Sequence, residues 1–132
     1  MIKLEIVTPE KKVLDESVDG VTIPTAKGEI GILPNHAPLI STLKPGILTY
    51  TVKGNTEKMA VSGGFVEVST SKISVLADVA ETADEVNVET ARVEREVAEK
   101  TLGSWSGTDA EFETEKEKLE TAQARLQLVS GR

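Results

Sequence analysis

Apolar and polar residues alternate over short stretches of the first two thirds of the chain, and this period of two is typical of half-buried β-strands. In the first stretch, Ile2, Leu4 and Ile6 alternate with Lys3 and Glu5. The same alternation, or a short apolar run, predicts strands at 21–23, 30–32, 47–52, 58–62, 65–69 and 73–77. Short strands at about ten-residue spacing favour an antiparallel sandwich or barrel. A parallel α/β fold is disfavoured because no helical pattern intervenes before residue 84.

Short polar segments separate neighbouring predicted strands and are typical of tight turns. The segment 53–56 (KGNT) combines glycine and asparagine between two strands and predicts a β-hairpin. Thr70 and Ser71 predict a second one. Pro45 and Gly46 form a turn pair just before the strand at 47–52, with proline fixing φ and glycine free to take a positive φ. The first part of the chain is therefore predicted to be all strands and turns.

Residues 84–132 show a helical pattern instead. Asn87 is a predicted N-cap because its side chain can accept a hydrogen bond from the first helical turn. The helix then covers 88–102 and ends at Gly103. The segment 103–107 (GSWSG) is a linker by composition.

A second helix is predicted after this linker. Thr108 and Glu111 match the T-x-x-E capping box. In this motif the side chain of each residue accepts a hydrogen bond from the backbone N–H of the other at the start of a helix. The pattern continues to about Ser130, and Gly131 suits the position after the helix end.

The apolar residues of both helices fall on narrow seams. On the second helix the seam residues are Phe112, Leu119, Ala122, Leu126 and Val129. On the first they are Ala91, Val93, Val97, Ala98 and Leu102. These seams predict an antiparallel two-helix hairpin. Neither helix has a second wide apolar stripe, so we expect its docking on the strands to contribute only a few kcal/mol, which a partner could undo.

The fold prediction is thus an N-terminal all-β sandwich of residues 1–83 followed by a C-terminal antiparallel helical hairpin of residues 84–132. Charge changes at the same point. Residues 1–83 hold eight Lys and Arg against ten Asp and Glu, whereas residues 84–132 hold seven against twelve. The net charge of −7 argues against a nucleic-acid binder, which must neutralise phosphates.

Composition narrows the class of protein further. Apolar residues make up 39 % and charged residues 28 % of the 132 positions, as in a globular domain. No apolar run approaches the roughly 18 residues of a membrane span, and no signal core opens the sequence, so we expect neither a span nor secretion. The absence of cysteine from the sequence excludes disulfides and thiol nucleophiles, and is compatible with a reducing compartment.

Candidate catalytic residues are few. His36 is the only histidine, it lies in the loop 34–38 (PNHAP), and it has no partner at metal-ligand spacing. No G-x-S-x-G nucleophile elbow and no phosphate-binding glycine motif is present. The glycine pairs at 28/31 and 63/64 are therefore predicted to mark bends or close backbone approach. The residues by themselves indicate a non-catalytic interaction module.

Four segments then point to a family. They are GEIGILPNHAPLI at 28–40, KPGIL at 44–48, SGGFVEV at 62–68 and VLADVAE at 75–81, with IVTP at 6–9 before them. In this order and at these separations they resemble the epsilon subunit of F-type ATP synthases, whose mitochondrial counterpart is called delta. The resemblance covers the whole chain and implies an N-terminal sandwich of about ten strands followed by a C-terminal two-helix hairpin.

The resemblance implies a non-catalytic rotor subunit of the central stalk. Its sandwich would join the gamma subunit to the ring of c subunits, and its hairpin could reach the alpha and beta subunits of the catalytic head. Glu29 and His36 match family positions that face the c-ring. The implied location is peripheral, on the cytoplasmic face of a bacterial inner membrane or on the stromal face of a thylakoid.

Some bacterial relatives in this family favour the folded hairpin by binding ATP through an Ile/Leu-Asp-x-x-Arg-Ala pattern. Here the stretch 86–91 reads VNVETA. Asn87 replaces the aspartate and Thr90 the arginine, so both the carboxylate and the guanidinium are missing. ATP is retained as a regulatory ligand to be tested, with no other cofactor expected. Its candidate residues are Val86, Asn87, Thr90, Ala91, Arg92, Arg95 and Arg125.

The resemblance also implies that an extended hairpin blocks ATP hydrolysis, partly through basic residues of the second helix. In this chain the first half of that helix is mostly acidic: Glu111, Glu113, Glu115, Glu117 and Glu120 stand against Lys116 and Lys118. Arg125 and Arg132 follow further on. We therefore expect modest inhibition at most. The alternatives are a stand-alone ATP-sensing regulatory module and an enzyme. For an enzyme the sequence offers no recognisable set of catalytic residues.

Overall fold

Ten strands and two long helices make up the chain in the computed structural model, which describes residues 1–130. Gly131 and Arg132, expected to follow the second helix, lie outside the described residues. The strands are Ile2–Val7 (β1), Lys12–Val18 (β2), Gly20–Thr25 (β3), Gly28–Ile32 (β4), Leu39–Thr42 (β5), Gly46–Val52 (β6), Asn55–Ser62 (β7), Phe65–Val68 (β8), Lys72–Leu76 (β9) and Val79–Glu81 (β10). The helices are Val88–Gly103 (α1) and Asp109–Ser130 (α2), preceded by a 3-10 turn at Ala83–Glu85.

The strands form two five-stranded sheets, so the predicted sandwich is confirmed. The first sheet has the order β2-β1-β9-β8-β5 and the second the order β10-β7-β6-β3-β4. All pairs are antiparallel except β1 with β9, which run parallel with Leu4 opposite Ile73. The sequence pattern did not predict this parallel pair, because its paired residues are 69 positions apart and no local turn fixes the direction of the two strands.

Alternate residues of both sheets point inward and form one apolar core. Leu4 of β1, Leu48 of β6 and Ile73 of β9 have no solvent-exposed surface, and the remaining core residues are almost as buried. Each fully buried Leu or Ile contributes about 1.5–3 kcal/mol to stability. The buried residues of this core all lie between Ile2 and Ala80, before the first helix.

Three strands were not picked out by the sequence pattern: β2, β5 and β10. Each lies at the edge of its sheet. Most β2 side chains are exposed or half-buried, and β5 and β10 have only four and three residues. Edge strands bury fewer side chains, so their alternation is weak, and short edges also limit unwanted pairing with other chains.

Tight turns hold the strands at the predicted places. Lys53 and Gly54 both have positive φ, 51° and 83°, as a two-residue β-hairpin loop between β6 and β7 requires. Gly63 and Gly64 follow β7, also with positive φ. A Cβ on Gly64 would collide with the carbonyl oxygen of Leu76. The second glycine pair is thus a close-approach site of the backbone.

Both helices begin with the predicted caps. Asn87 accepts a hydrogen bond on Oδ1 from the backbone N–H of Thr90 at 3.0 Å. At the start of α2 the N–H of Glu111 donates to Thr108 Oγ1, and the N–H of Thr108 donates to Glu111 Oε2. Trp105 in the linker packs edge-on against Phe112, with ring centroids 5.7 Å apart. The two helices pack side by side as the predicted antiparallel hairpin.

Candidate partner-binding surfaces

The helix α2 lies on the outer face of the second sheet and covers part of it. Leu128 is buried against Ala60 of β7, with Ile47 of β6 and Val86 packed around them. Ala124, one turn before Leu128, is also buried. This small apolar cluster is separate from the sandwich core. The helical hairpin is therefore attached to the sheet through few apolar groups.

Polar contacts complete the attachment. The hydroxyls of Ser62 on β7 and Thr121 on α2 lie 2.7 Å apart. Arg125 donates through Nε to Oε1 of Glu81 on β10 at 2.6 Å, and through Nη1 to Oε2 of Glu94 on α1 at 3.3 Å. Its side chain is only 12 % exposed. One guanidinium thus joins the sheet, α1 and α2, and we call this contact the Arg125 bridge.

Sequence analysis missed the sheet-facing residues of α2. Thr121, Ala124, Arg125 and Leu128 recur at intervals of three, one and three, which places them on one side of a helix. Their spacing was the available signal, but the mixture of a threonine, an alanine, an arginine and a leucine does not form an apolar stripe. Only the neighbouring strand shows why this side is buried.

The predicted hairpin seam is only partly assembled. Ala91 and Ala98 of α1 and Ala122 of α2 are buried. The half-buried seam residues are Leu102, Phe112, Leu119, Leu126 and Val129. The seam must be corrected at Val93 and Val97, whose exposed fractions are 50 % and 56 %. At 3.6 residues per turn these valines lie about 100–160° around α1 from the buried alanines, which places them at the open edge of the helix–helix contact and not inside it.

Glu29 and His36 lie in and after β4 and do not touch each other through any hydrogen bond or ion pair in the described chain. Glu29 is exposed on the outer face of the second sheet, where it borders a hollow shared with Gln127 and Leu128 at the end of α2. The backbone N–H of His36 donates to the carbonyl oxygen of Leu33 at 3.2 Å. The imidazole Nδ1 lies 2.7 Å from the carbonyl oxygen of Ala37. The histidine is therefore held in its loop by local backbone contacts.

The candidate ATP-binding residues are not gathered into one site. Val86 and Ala91 are buried, and the side chain of Asn87 is used in capping α1. Arg92 and Arg95 border an open hollow between the helices, where they pair with Glu89 and Glu99 of their own helix. Thr90 is exposed on the first turn of α1, and Arg125 is held in its bridge away from that hollow.

The outer face of the first sheet is divided into a charged half and an apolar half. Glu5 lies between Lys12 and Lys72, at 3.1 and 3.4 Å, and hydrogen bonds from Lys12 and then Lys72 hold the pKa of its carboxyl below its usual value. Phe65 and Leu76, directly opposite each other on β8 and β9, form the apolar half and remain well exposed. Single exposed apolar residues are common, but an adjacent pair suits a protein contact.

Comparison with known proteins decides the family. A family model described as the beta-sandwich domain of the ATP synthase delta/epsilon chain matches residues 1–83. The chain belongs to this family. An ATP synthase epsilon chain of Desulfitobacterium hafniense (strain Y51) is 51 % identical over 106 residues, 80 % of each chain. The epsilon chain of Geotalea uraniireducens (strain Rf4) is 41 % identical over 129 residues, 98 % of this chain and 94 % of the relative.

Solved structures carry the same likeness along the helical hairpin. This chain matches a chain in the cryo-EM structure of Euglena gracilis mitochondrial ATP synthase (OSCP/F1/c-ring, rotational state 1). That match has a TM-score of 0.78 and 27 % identity and covers 93 % of this chain and 78 % of the other. A chain in the central stalk/c-ring structure of Tetrahymena thermophila mitochondrial ATP synthase shares the fold, with a TM-score of 0.69 and 18 % identity. The resemblance drawn from residues 28–40, 44–48, 62–68 and 75–81 is confirmed.

Two further properties of the described residues concern membranes and metals. Neither α1 nor α2 combines the length and apolar character that a helix needs to cross a bilayer. Within residues 1–130, no three or more His, Asp or Glu side chains stand together as a metal site would require.

Proposed function

We propose that this subunit of the ATP synthase complex is a non-catalytic part of the central stalk and couples the gamma subunit to the c-ring during proton-driven ATP synthesis. The observation that carries the proposal is the match over 93 % of the chain to a component of an F1/c-ring structure. The location that follows is peripheral, on the cytoplasmic face of the membrane that holds the ring.

The loop after β4 is the proposed contact with the c-ring. Leu33 in this loop and Ile40 in β5, the strand that follows the loop, are each 67 % exposed. Pro34 and Pro38 restrict the loop, because each proline fixes its own φ. Asn35 takes the left-handed conformation with φ of 67°, which tightens the turn. An exposed and stiff loop with apolar and polar side chains suits a force-transmitting contact, with Glu29 as the carboxylate on the neighbouring strand.

The exposed apolar pair on the first sheet is the proposed contact with gamma. Phe65 and Leu76 lie on a sheet face that no helix covers in residues 1–130. Burial of large apolar side chains at the centre of an interface supplies much of the binding energy of stable complexes. This face is therefore suited to a lasting contact, as a subunit fixed to the rotor needs.

The helical hairpin is the proposed regulatory element. Its folded position is held by the Arg125 bridge, the Ser62–Thr121 contact and a small apolar cluster. We propose that this bridge stabilises the folded position without ATP, because its guanidinium is already matched by two carboxylates. The acidic first half of α2 would meet acidic segments of the alpha and beta subunits on extension, and like-charge repulsion would keep inhibition of hydrolysis modest.

Reconstitution tests the proposal. The catalytic head and c-ring are assembled with the full chain, with residues 1–83 alone, or without either. The full chain should co-purify with gamma and support coupled ATP synthesis. Removal of residues 84–132 should leave synthesis intact and raise hydrolysis only slightly. Failure to bind gamma would refute the stalk function, whereas a many-fold rise in hydrolysis would refute only the modest inhibition.

A further inference from the structure

An open groove runs along one side of the helical hairpin, between α1 and α2, and ends near Ser62 of β7. Its volume is about 500 Å³. Val93 and Val97 of α1 line it, one helical turn apart on the same side of the helix. Both valines are about half exposed. The buried Ala98 lies beside them. We call this feature the hairpin groove.

The threonine hydroxyls on the walls of the groove are already hydrogen-bonded within their own helices. Thr101, Thr114 and Thr121 each donate the side-chain hydroxyl to the carbonyl oxygen four residues earlier in the same helix, at 2.9, 3.2 and 2.8 Å. A hydroxyl that is already satisfied has little need of another partner. With these donors engaged, the groove is lined largely by the valine and alanine side chains and the threonine Cβ positions.

The size of the hairpin groove fits an α-helix. Thr101 lies eight positions after Val93, which corresponds to a rise of about 12 Å along α1, or a little over two helical turns. Two neighbouring helices with small and β-branched residues on their facing ridges leave a trough in which a third helix can pack. Two turns of a partner helix would place three or four apolar side chains over the valines.

The rim of the hairpin groove is acidic. Glu94, Glu115 and Glu117 border it against a single cation, Lys118. Glu94 is paired with Arg125, and Glu115 is paired with Lys118 at 3.2 Å. Glu117 forms no ion pair with any residue of the described chain. A cationic partner would therefore gain charge complementarity here.

The acidic rim disfavours two other binding partners for the hairpin groove. A second copy of this chain would bring another hairpin of net charge −5 against the acidic rim. An anionic lipid surface would be repelled for the same reason. The complementary occupant is a helix with an apolar stripe and basic flanks.

We propose that the hairpin groove binds an amphipathic α-helix of a partner protein, whose apolar stripe covers Val93 and Val97 and whose flanking Lys or Arg side chains meet the acidic rim. Binding occurs while the helical hairpin stays folded on the second sheet. The proposal rests on the folded chain alone and does not depend on the stalk function.

The test uses the full chain and two synthetic 14-residue peptides. One has leucines at helical spacing i, i+3, i+4 and i+7 with lysines elsewhere, and the other has glutamates in place of those lysines. Amide chemical shifts are followed by NMR. We expect the lysine peptide to shift the signals of Val93, Val97 and Thr121, and to bind at least about tenfold more tightly than the glutamate peptide.

Variants separate groove binding from general attraction between opposite charges. V93N/V97N should weaken the lysine peptide about tenfold or more, while L76N, an exposed apolar residue of the first sheet, should not. E115Q/E117Q should weaken it several-fold, whereas E96Q/E113Q removes the same charge outside the groove and should have little effect. Circular dichroism verifies that each variant keeps its helices. Equal effects of the groove and control variants, or shifts away from the groove, would overturn the proposal.

Discussion

Arg125 of α2 and Glu81 of β10 are 44 residues apart in the chain, yet Nε of the arginine donates to Oε1 of the glutamate across 2.6 Å. The same guanidinium reaches Glu94 of α1. Loss of a charge from a largely buried pair leaves its partner without compensation, so we expect removal of this bridge to loosen the helices on the sheet.

Replacement of Arg125 with alanine should weaken hairpin docking by about 1–3 kcal/mol, between the values typical of exposed and of fully buried ion pairs. Amide hydrogen exchange measures this as faster exchange in α2, while β1 and β9 exchange as before. Arg92→Ala is the matched control. It removes an exposed pair with Glu89 and should cost about 0.5 kcal/mol or less. Unchanged exchange in α2 of Arg125→Ala would contradict the bridge.

Addition of Mg–ATP should give no saturable heat in a calorimetric titration of the full chain, since Arg125 is occupied and Arg92 and Arg95 pair with carboxylates. A ligand that binds only the folded protein raises its melting temperature, so ATP should also leave the thermal midpoint unchanged. Saturable binding that disappears in R92A/R95A would show that ATP binds through these arginines and would favour the nucleotide-sensing alternative.

Charge-neutral replacement at the proposed c-ring contact should weaken attachment of the stalk. We expect E29Q/H36Q to lower the affinity for the c-ring by about threefold to tenfold and to reduce coupled ATP synthesis, because an interface charge contributes to orientation and affinity. Glu57→Gln, an exposed carboxylate of β7, serves as the control. If ring binding and synthesis by E29Q/H36Q match the unmodified chain, this assignment is wrong.

Gly64→Ala should destabilise the sandwich by about 2 kcal/mol or more. The backbone φ of +83° is unfavourable for an L side chain, and the added Cβ would meet the carbonyl oxygen of Leu76. Gly31→Ala in β4 is the control, since its Cβ would meet no atom within 4 Å. Urea unfolding of both variants measures the difference. Similar midpoints for the two would contradict the close approach at Gly64.

Acid should weaken the sandwich through the charged half of the first sheet. Hydrogen bonds from Lys12 and Lys72 lower the pKa of Glu5 below 4.5, and those from Lys3 and Lys12 lower the pKa of Asp15 below 3.8. A carboxyl whose pKa is lower in the folded than in the unfolded chain stabilises the fold at pH values above its unfolded-state pKa. This contribution is lost as the pH falls through the folded-state pKa. Thermal midpoints should therefore drop below about pH 4. The drop should be smaller in E5Q/D15N than in the control Glu10→Gln.

Local sequence patterns predicted the elements whose stability comes from neighbouring residues. The caps at Asn87 and Thr108 each depend on a partner three residues away, and the loop at 53–54 needs only residues that accept positive φ. Alternation in β1 was readable because this strand has a buried face and lies inside its sheet. The edge strands β2, β5 and β10 each bury only one residue fully, so they show no apolar alternation and were missed.

The sequence by itself determined the division into strands and helices, the positions of the turns and caps, and the family, because these depend on short-range spacing and on segments read in order. Only the tertiary structure decided the parallel pairing of β1 with β9, the partners of Arg125 and the exposure of Val93 and Val97. Each of these depends on groups that are distant in the chain and meet only after the backbone has folded. A helix pattern shows which residues share a side, but the neighbouring sheet decides which side is buried.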